Sequence, residues 1–296
     1  MSSAMISVIV PTLNSPLIDR TVAALRSQSV DPARVEILVV GLDEPGLVQT
    51  DERVRLIGDG GRASAATNRN RGMQAAQGEI FCFTDADCVP ASDWLERITA
   101  PFADEQVYVV GGGVLFARSN YWSLCDNLSW FYQFLSSSPA GQRSHLPTLN
   151  LSIRREVYEA VGGMSALYPL AAGEDTEWTE RMAQAGYTLH FVPDAVVTHM
   201  DRRTSLGALW QHGYRYGQYS PKIGYPTGQT PTHTSIWRLL PRRWWLMLLL
   251  SPLLASLATI RALGSHKVWH AAPGIWVSKL AWCMGSAHTL RRRKIV

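Results

Sequence analysis

Two acidic clusters carry the chemistry this chain could do. Asp85-Ala86-Asp87 closes the apolar run Glu79–Thr84, so two carboxylates stand where a buried strand meets a loop. Oxygen donors held that way suit a hard divalent cation. Far downstream, Gly173-Glu174-Asp175 supplies a second carboxylate pair, and a carboxylate within reach of a hydroxyl can act as a general base. A cation to hold a diphosphate and a base to activate a hydroxyl point to transfer of a group from an activated phosphate donor. The bland alternative for the second cluster is helix N-terminal charge, with Glu174, Asp175 and Glu177 in the first turn before Trp178–Met182.

The elements that must position these residues read as alternating strands and helices. Ile6–Val10 is a β-branched strand ended by Pro11-Thr12-Leu13-Asn14. Asp19–Gln28 has helical spacing, Val35–Val40 is a buried-type strand stopped by Gly41, and Val54–Ile57 is a short strand. Ala63–Gln77 reads as a helix closed by Gly78, followed by the strand that ends at Asp85. This alternation predicts a largely parallel sheet covered on both faces. Ligands of such sheets bind beyond the carboxyl ends of the strands, where Asn14, Gly41–Asp43 and Asp85 would converge. Further on, Trp94–Phe102 reads as a helix, Val107–Phe116 as a strand, Leu149–Ile153 as a strand, Arg155–Val161 as a helix closed by Gly162-Gly163, and Thr176–Ala185 as a helix. Thr188–Val192 and Ala195–His199 read as two short strands. Tyr121–Leu135, rich in aromatic residues, is either a packed amphipathic helix or an acceptor-side or membrane-facing surface.

The chain has 296 residues, 46% of them hydrophobic, with a mean hydropathy of −0.04. That allows one large domain with an appendage. A net charge of +4 is too small to argue for a nucleic-acid partner. Much of the excess is local, in Arg242-Arg243 and Arg291-Arg292-Arg293-Lys294, beside apolar segments, which favours a membrane surface over mere solvated charge. Cys82, Cys88, Cys125 and Cys283 form no CxxC pair and no zinc spacing, so buried, reduced thiols in a cytosolic setting are expected. The first apolar run, Met5–Val10, is too short for a signal sequence.

After about residue 236 the composition changes. Trp244–Ile260 is almost wholly apolar with Pro252 inside it, and Val268–Leu290 is weaker, interrupted by Pro273-Gly274 and Lys279. Pro252 is better tolerated in a membrane helix than in a soluble one. Trp237, Trp244, Trp245, Trp269, Trp276 and Trp282 suit an interfacial belt. A two-pass hairpin and in-plane helices both fit, with a soluble helical cap as the third reading. A hairpin would put both basic clusters on the cytoplasmic side. The expected division is therefore a catalytic domain over 1–235 and a membrane-associated helical segment over 236–296.

With these residues in hand, the chain resembles the family 2 glycosyltransferases, which have a GT-A fold. Val8–Asn14 resembles the opening strand and nucleotide loop, Arg69-Asn70-Arg71-Gly72 with Ala76–Glu79 the family's helix motif, and Thr84–Asp87 its DXD element. Asn150–Arg154 with Gly162-Gly163-Met164 resembles the segment before the acceptor site, and Gly173–Trp178 the base-bearing motif. The pieces occur in the family's order over roughly residues 5 to 220. A lone DXD is weak; five pieces in register are strong.

The resemblance implies a nucleotide-sugar donor, a manganese or magnesium ion bridging its diphosphate, and inverting single-displacement transfer. Asp87 is the direct metal ligand it implies, with Asp85 on ribose or a bound water; otherwise Asp85 caps the turn. His199 is a further metal or phosphate contact or a satisfied core histidine. Asp175 is implied as the base and Glu174 as a residue orienting the acceptor. Pro11, Thr12 and Asn14 would line the nucleotide pocket, and Arg69 would reach the base or phosphates unless it is a surface residue. Many relatives carry an Asp directly after the second strand to read uracil. Gly41 stands there instead, with Asp43 two positions on, so UDP is the default nucleotide and GDP or dTDP stay open. Trp210–Gly217 partly resembles the QxxRW element of processive members, but Gln211 and Arg215 are separated by three residues. That departure argues against polymer synthesis and leaves these two as diphosphate or acceptor contacts or a plain helix face.

The acceptor the apolar segments favour is a lipid-linked sugar, a lipid or a cell-envelope glycan precursor, reached at the cytoplasmic face of the plasma membrane. Two other readings stand beside this. A nucleotidyltransferase would need a glycine- and basic-rich phosphate loop after the first strand, which Pro11–Pro16 is not. A catalytically silent nucleotide-binding scaffold is disfavoured by the presence of both Asp87 and Asp175.

Overall fold

The computed structural model describes residues 4–58, 60–116, 120–200, 203–221, 243–264 and 268–293. It divides into two compact units, one of residues 1–115 and 134–200, the other of 116–133 and 201–296. The units do not follow the division expected near residue 236, because two earlier helices pack with the C-terminal ones.

The first unit is built on a nine-stranded sheet. Strands β1 (Ile6–Leu13), β2 (Val35–Leu42), β3 (Val54–Ile57) and β4 (Ile80–Thr84) run parallel in the order β3-β2-β1-β4. Helix α1 (Ile18–Arg26) lies in the connection from β1 to β2 and α2 (Ala65–Ala75) in the connection from β3 to β4. β1 is buried on both faces from Ile6 to Thr12, which is why its sequence is continuously apolar rather than alternating. The strands that follow are β5 (Cys88–Pro90), β6 (Val109–Phe116), β7 (Gly141–Gln142), β8 (Asn150–Arg154) and β9 (Leu189–His199). The order continues β8-β6-β9-β5, with β7 also on β9.

Beyond β4 the pairing changes. β8 runs antiparallel to both β4 and β6, and β5 and β7 run antiparallel to β9. The sheet is thus mixed rather than largely parallel, since antiparallel neighbours need no crossover helix between them. The two short strands expected over 188–199 are one continuous strand, β9. Pro193 falls between the stretches paired to β7 (His190, Phe191) and to β5 (Val197–His199), so no ladder bond is asked of it on that edge. Asn150, paired with Thr84 across the ladder, organises the middle of the sheet. Its amide donates to the carbonyls of Gly113 and Ala195, both at 2.8 Å, and accepts from the Trp94 indole at 2.8 Å.

Three helices complete this unit: α3 (Trp94–Thr99), α5 (Arg155–Val161) and α6 (Glu174–Gln184). Trp178 on α6 is fully buried and donates its indole N–H to Gly162 O at 2.9 Å.

The second unit is helical among the described residues: α4 (Tyr121–Phe131), α7 (Leu206–Gln218), α8 (Trp244–Leu263) and α9 (Ala272–Arg293). The aromatic segment expected as a helix to Leu135 leaves helical geometry after Phe131. Asp126 on α4 is buried and meets His212 Nδ1 at 2.7 Å and Arg203 at 3.5 Å. α7 and α9 approach very closely: a Cβ on Gly217 would lie 2.0 Å from the Trp282 carbonyl oxygen, so only glycine fits.

Among the described residues one helix, α8, is long and apolar enough to cross a membrane, with a mean hydropathy of 1.9. The second apolar stretch is not a matching span. In α9 the residues Ile275, Ser278, Ala281, Cys283, Ser286 and Ala287 are buried in the unit, and Lys279 donates to Ser129 O while lying 4.0 Å from the Trp130 ring centroid. Ser286 Oγ donates to Gly217 O at 3.1 Å and Thr289 Oγ1 to Gln218 O at 2.9 Å, so part of its polar content is satisfied within the unit. Arg242 and Lys294 of the basic clusters and Trp237 of the aromatic set lie outside the described residues.

Candidate active site

Asp85 and Asp87 sit at the carboxyl end of β4, where the chain turns tightly and the Cys88 amide donates to Asp85 O at 3.0 Å. The loop after β1 is tied to this turn through Ser15 Oγ, which donates to Ala86 O at 2.8 Å. Asn14 has a positive φ of 55° and straps the ends of β1 and β2 together. It donates to Glu44 Oε2 at 2.6 Å and accepts from the Glu44 amide at 2.9 Å.

The register of β5 on β9 sets Cys88 opposite His199. That brings Asp87, Cys88 and His199 together, with one donor atom from each within 4.8 Å of the others and all three residues buried. His199 Nε2 lies 3.8 Å from Asp87 Oδ1. A carboxylate and an imidazole are donors a divalent first-row ion accepts, whereas a thiol is a soft one. Burial pushes the Cys88 thiol well above its usual range, so it stands as a neutral wall of the cluster. Asp87 and His199 therefore fit a divalent cation; Asp85 is turned to a different partner.

That partner is Arg69 on α2. Its guanidinium is buried, 2.5 Å from Asp85 Oδ1 and 3.2 Å from Glu174 Oε1. Arg69 thus joins the two acidic motifs, its partners lying 16 and 105 residues further along the chain, rather than standing on a surface. Both carboxylates and Asp175 hold the guanidinium firmly protonated against the cost of burial. Burial in turn pushes the Glu174 carboxyl up to about 7, with the Asp175 charge adding to the rise and Arg69 opposing it. The half-buried Asp175 carboxyl is also raised by desolvation, against the pull of the Thr176 amide and Arg69. One oxygen of Glu174, Oε2, is buried without a hydrogen-bond partner among the described residues. Both acids lie in the first turn of α6. The loop leading to them is clamped to α2 by Asn70, which bonds both the amide and the carbonyl of Met164 at 2.8 Å.

At the ends of β1 and β2, three buried polar atoms have no partner among the described residues: Thr12 Oγ1, Asp43 Oδ1 and Asn68 Oδ1. The other Asp43 oxygen accepts from the Val48 amide at 2.7 Å, fixing the turn after β2. Gly41 has φ 131°, and a Cβ there would lie 2.0 Å from Thr12 O. No side chain can stand at that position, which accounts for glycine where an aspartate was expected. Pro11 is buried within β1. Gln211 and Arg215 belong to the second unit, where both are exposed on α7.

Sequence reasoning picked out Asp85, Asp87, Arg69, Glu174, Asp175 and His199, and the structure gathers these in the first unit. It missed Cys88, legible only through the β5–β9 register, and Asn68, one residue before Arg69 in a motif already noted. The Arg69–Glu174 pairing had no local signal.

A half-parallel, half-antiparallel sheet with carboxylates at the end of a central strand is the GT-A arrangement, and the comparisons with known proteins agree. The glycosyl transferase family 2 model matches residues 7–162. The chain belongs to this family and is a glycosyltransferase. It is 32% identical over 227 residues to Glycosyltransferase AglE of Haloferax volcanii, covering 72% of each chain. Among solved structures it shares its fold with a mannosyltransferase from Pyrobaculum calidifontis in complex with GDP-Man and Mn2+, at TM-score 0.64 and 22% identity, over 98% of this chain and 88% of that one. GalNAc-T7 with UDP, GalNAc and Mn2+ follows at TM-score 0.55 and 18% identity, over 80% of this chain and 53% of that one.

Proposed function

We propose that this protein moves a sugar from a nucleotide-diphosphate sugar to a hydroxyl of a lipid-linked or surface-glycan acceptor, with inversion, using a divalent ion and an aspartate base. The observation that carries the reading is the buried Arg69, which ties the Asp85 turn to the start of α6. It supports a single site in which a cation-binding carboxylate and a base act on one donor.

Asp87 and His199 would hold manganese or magnesium. When bound, that ion offsets the charge growing on the departing nucleoside diphosphate. Thr12, Asp43 and Asn68 offer buried polar atoms to the nucleoside, with Pro11 and Asn14 shaping the loop around it. UDP is the default nucleotide and GDP stays open, since both occur in the solved relatives. Asp175 accepts the acceptor proton as that oxygen attacks the anomeric carbon; the carbon–oxygen bond to the diphosphate breaks on the opposite face, and configuration inverts. Glu174, paired with Arg69, holds the first turn of α6 and leaves Oε2 to orient the acceptor. The apolar α8 supports attachment to the membrane, and the basic residues flanking the C-terminal helices favour its cytoplasmic face. Nothing in the site favours the nucleotidyltransferase alternative.

The test is thermal stabilisation by a panel of nucleoside diphosphates and nucleotide sugars, each with manganese and with chelator. A metal-dependent shift for one nucleotide, lost in Asp87→Ala, is expected. No shift with any nucleotide in folded protein would overturn the reading.

A further inference from the structure

The second unit contains a groove that the transfer reaction does not use. Its volume is about 430 Å³, and it is lined by Tyr214 of α7, Trp244 and Leu248 of α8, and Met284, Ala287, His288, Arg291 and Arg292 of α9. That volume lies in the range of about 300–1,000 Å³ typical of small-molecule sites. The lining is divided by chemistry. Trp244, Leu248, Met284 and Ala287 form an apolar wall, while His288, Arg291 and Arg292 form a polar end that carries the charge of two arginines.

The polar end is organised. The Tyr214 hydroxyl and His288 Nδ1 are 2.5 Å apart, which fixes the imidazole. The Arg291 guanidinium lies 5.1 Å from the Trp244 ring centroid, a cation–π contact that seats it at the mouth of the apolar wall. No carboxylate pairs with Arg291 or Arg292 among the described residues, and the sequence explains why. Residues 202–296 contain 14 of the chain's 28 Lys and Arg and none of its 24 Asp and Glu. This long uncompensated positive stretch is suited to an anionic surface rather than to internal ion pairs.

Leu248 and Met284 line the groove and are also exposed. Along α8, Trp245, Leu249, Leu253, Leu257 and Ile260 continue this exposed apolar face. An exposed apolar strip of that extent beside arginines marks contact with lipid.

We propose that this groove binds one anionic phospholipid of the bilayer, its phosphate on Arg291, Arg292 and His288 and one acyl chain along Trp244, Leu248 and Met284. The site is independent of the donor and of the transfer chemistry.

The test is native mass spectrometry of the full chain, released from detergent after mixing with phosphatidylglycerol or phosphatidylcholine. One phosphatidylglycerol should be retained and phosphatidylcholine should not. Arg291→Gln with Arg292→Gln should weaken retention roughly twenty-five-fold, from about fivefold per cationic side chain at an anionic lipid. Met284→Trp, which fills the groove and leaves both arginines in place, should abolish it. Leu257→Gln, on the exposed strip, should leave it intact. Equal retention of the two lipids, or retention unchanged in the arginine and Met284 variants, would overturn the proposal. Mole-for-mole displacement of phosphatidylglycerol by a polyprenyl phosphate at equal concentration would overturn the assigned occupant. Melting curves with nucleotide and manganese distinguish lost lipid binding from lost fold, because the arginine variant should keep any nucleotide shift of the wild type.

Discussion

Phe83 meets Trp178 edge to face, with ring centroids 5.5 Å apart and planes at 89°. Phe83 is on β4, two residues before Asp85, and Trp178 is on α6, three residues after Asp175. This apolar pair therefore sets the distance between the two acidic motifs from below, while Arg69 sets it from within the site. Trp178→Ala should cost about 3–5 kcal/mol of stability, the usual loss for a large buried aromatic. Trp178→Phe should recover most of it, as read by urea unfolding, although the bond to Gly162 O is lost in both.

Arg69→Met leaves Glu174 buried without its cation. Breaking one partner of a buried ion pair costs about 3–5 kcal/mol. The double variant Arg69→Met with Glu174→Gln should be more stable than Arg69→Met alone, because the orphaned charge is removed. Equal stability of the two by chemical unfolding would show that the pair is not coupled in the folded protein.

The raised Glu174 carboxyl gives stability a definite pH dependence. Its folded value, about 7, lies above the ordinary 4.5, so the folded state holds a proton that the unfolded state releases. The contribution to stability is full below the ordinary carboxylate range and is lost as pH rises through about 7. Asp175, also raised, adds in the same direction. Unfolding at pH 5 and pH 8 should therefore show a falling stability that Glu174→Gln flattens. Transfer should run the opposite way, rising with pH as Asp175 ionises.

Much of this was legible because strand-end acids and glycine-closed helices leave local signals. Val54–Ile57 and Arg155–Val161 fell on their expected places, and Asp85–Asp87 closed the expected strand, while the first strand ran three residues past its expected end at Val10, through Pro11 to Leu13. What the sequence hid was long-range. The partner of Arg69 is 105 positions away, and the approach of His199 to Asp87 depends on the register of β9, which continues through a proline. The antiparallel half of the sheet was hidden for the same reason: strand direction follows from connection geometry, not from apolar runs. Likewise an amphipathic helix was one reading of the α4 segment and a plain helix face one reading of Gln211 and Arg215 on α7, but only packing assigns both helices to the unit of α8 and α9.

Asp87 and His199 should act as a pair toward the cation. Asp87→Ala and His199→Ala should each weaken manganese-dependent nucleotide binding at least tenfold, as measured by titration calorimetry, while Cys88→Ser should leave it within a few-fold. Loss in Cys88→Ser equal to that in Asp87→Ala would make the thiol a ligand instead of a wall.

The most direct measurement of the central claim compares Asp175→Asn with wild type in two assays on the same preparation: calorimetric binding of the metal–nucleotide and transfer of labelled sugar into a membrane lipid extract. The account predicts unchanged nucleotide affinity and at least a hundredfold loss of transfer, from removal of a general base. Transfer within a few-fold of wild type, with binding intact, would contradict it.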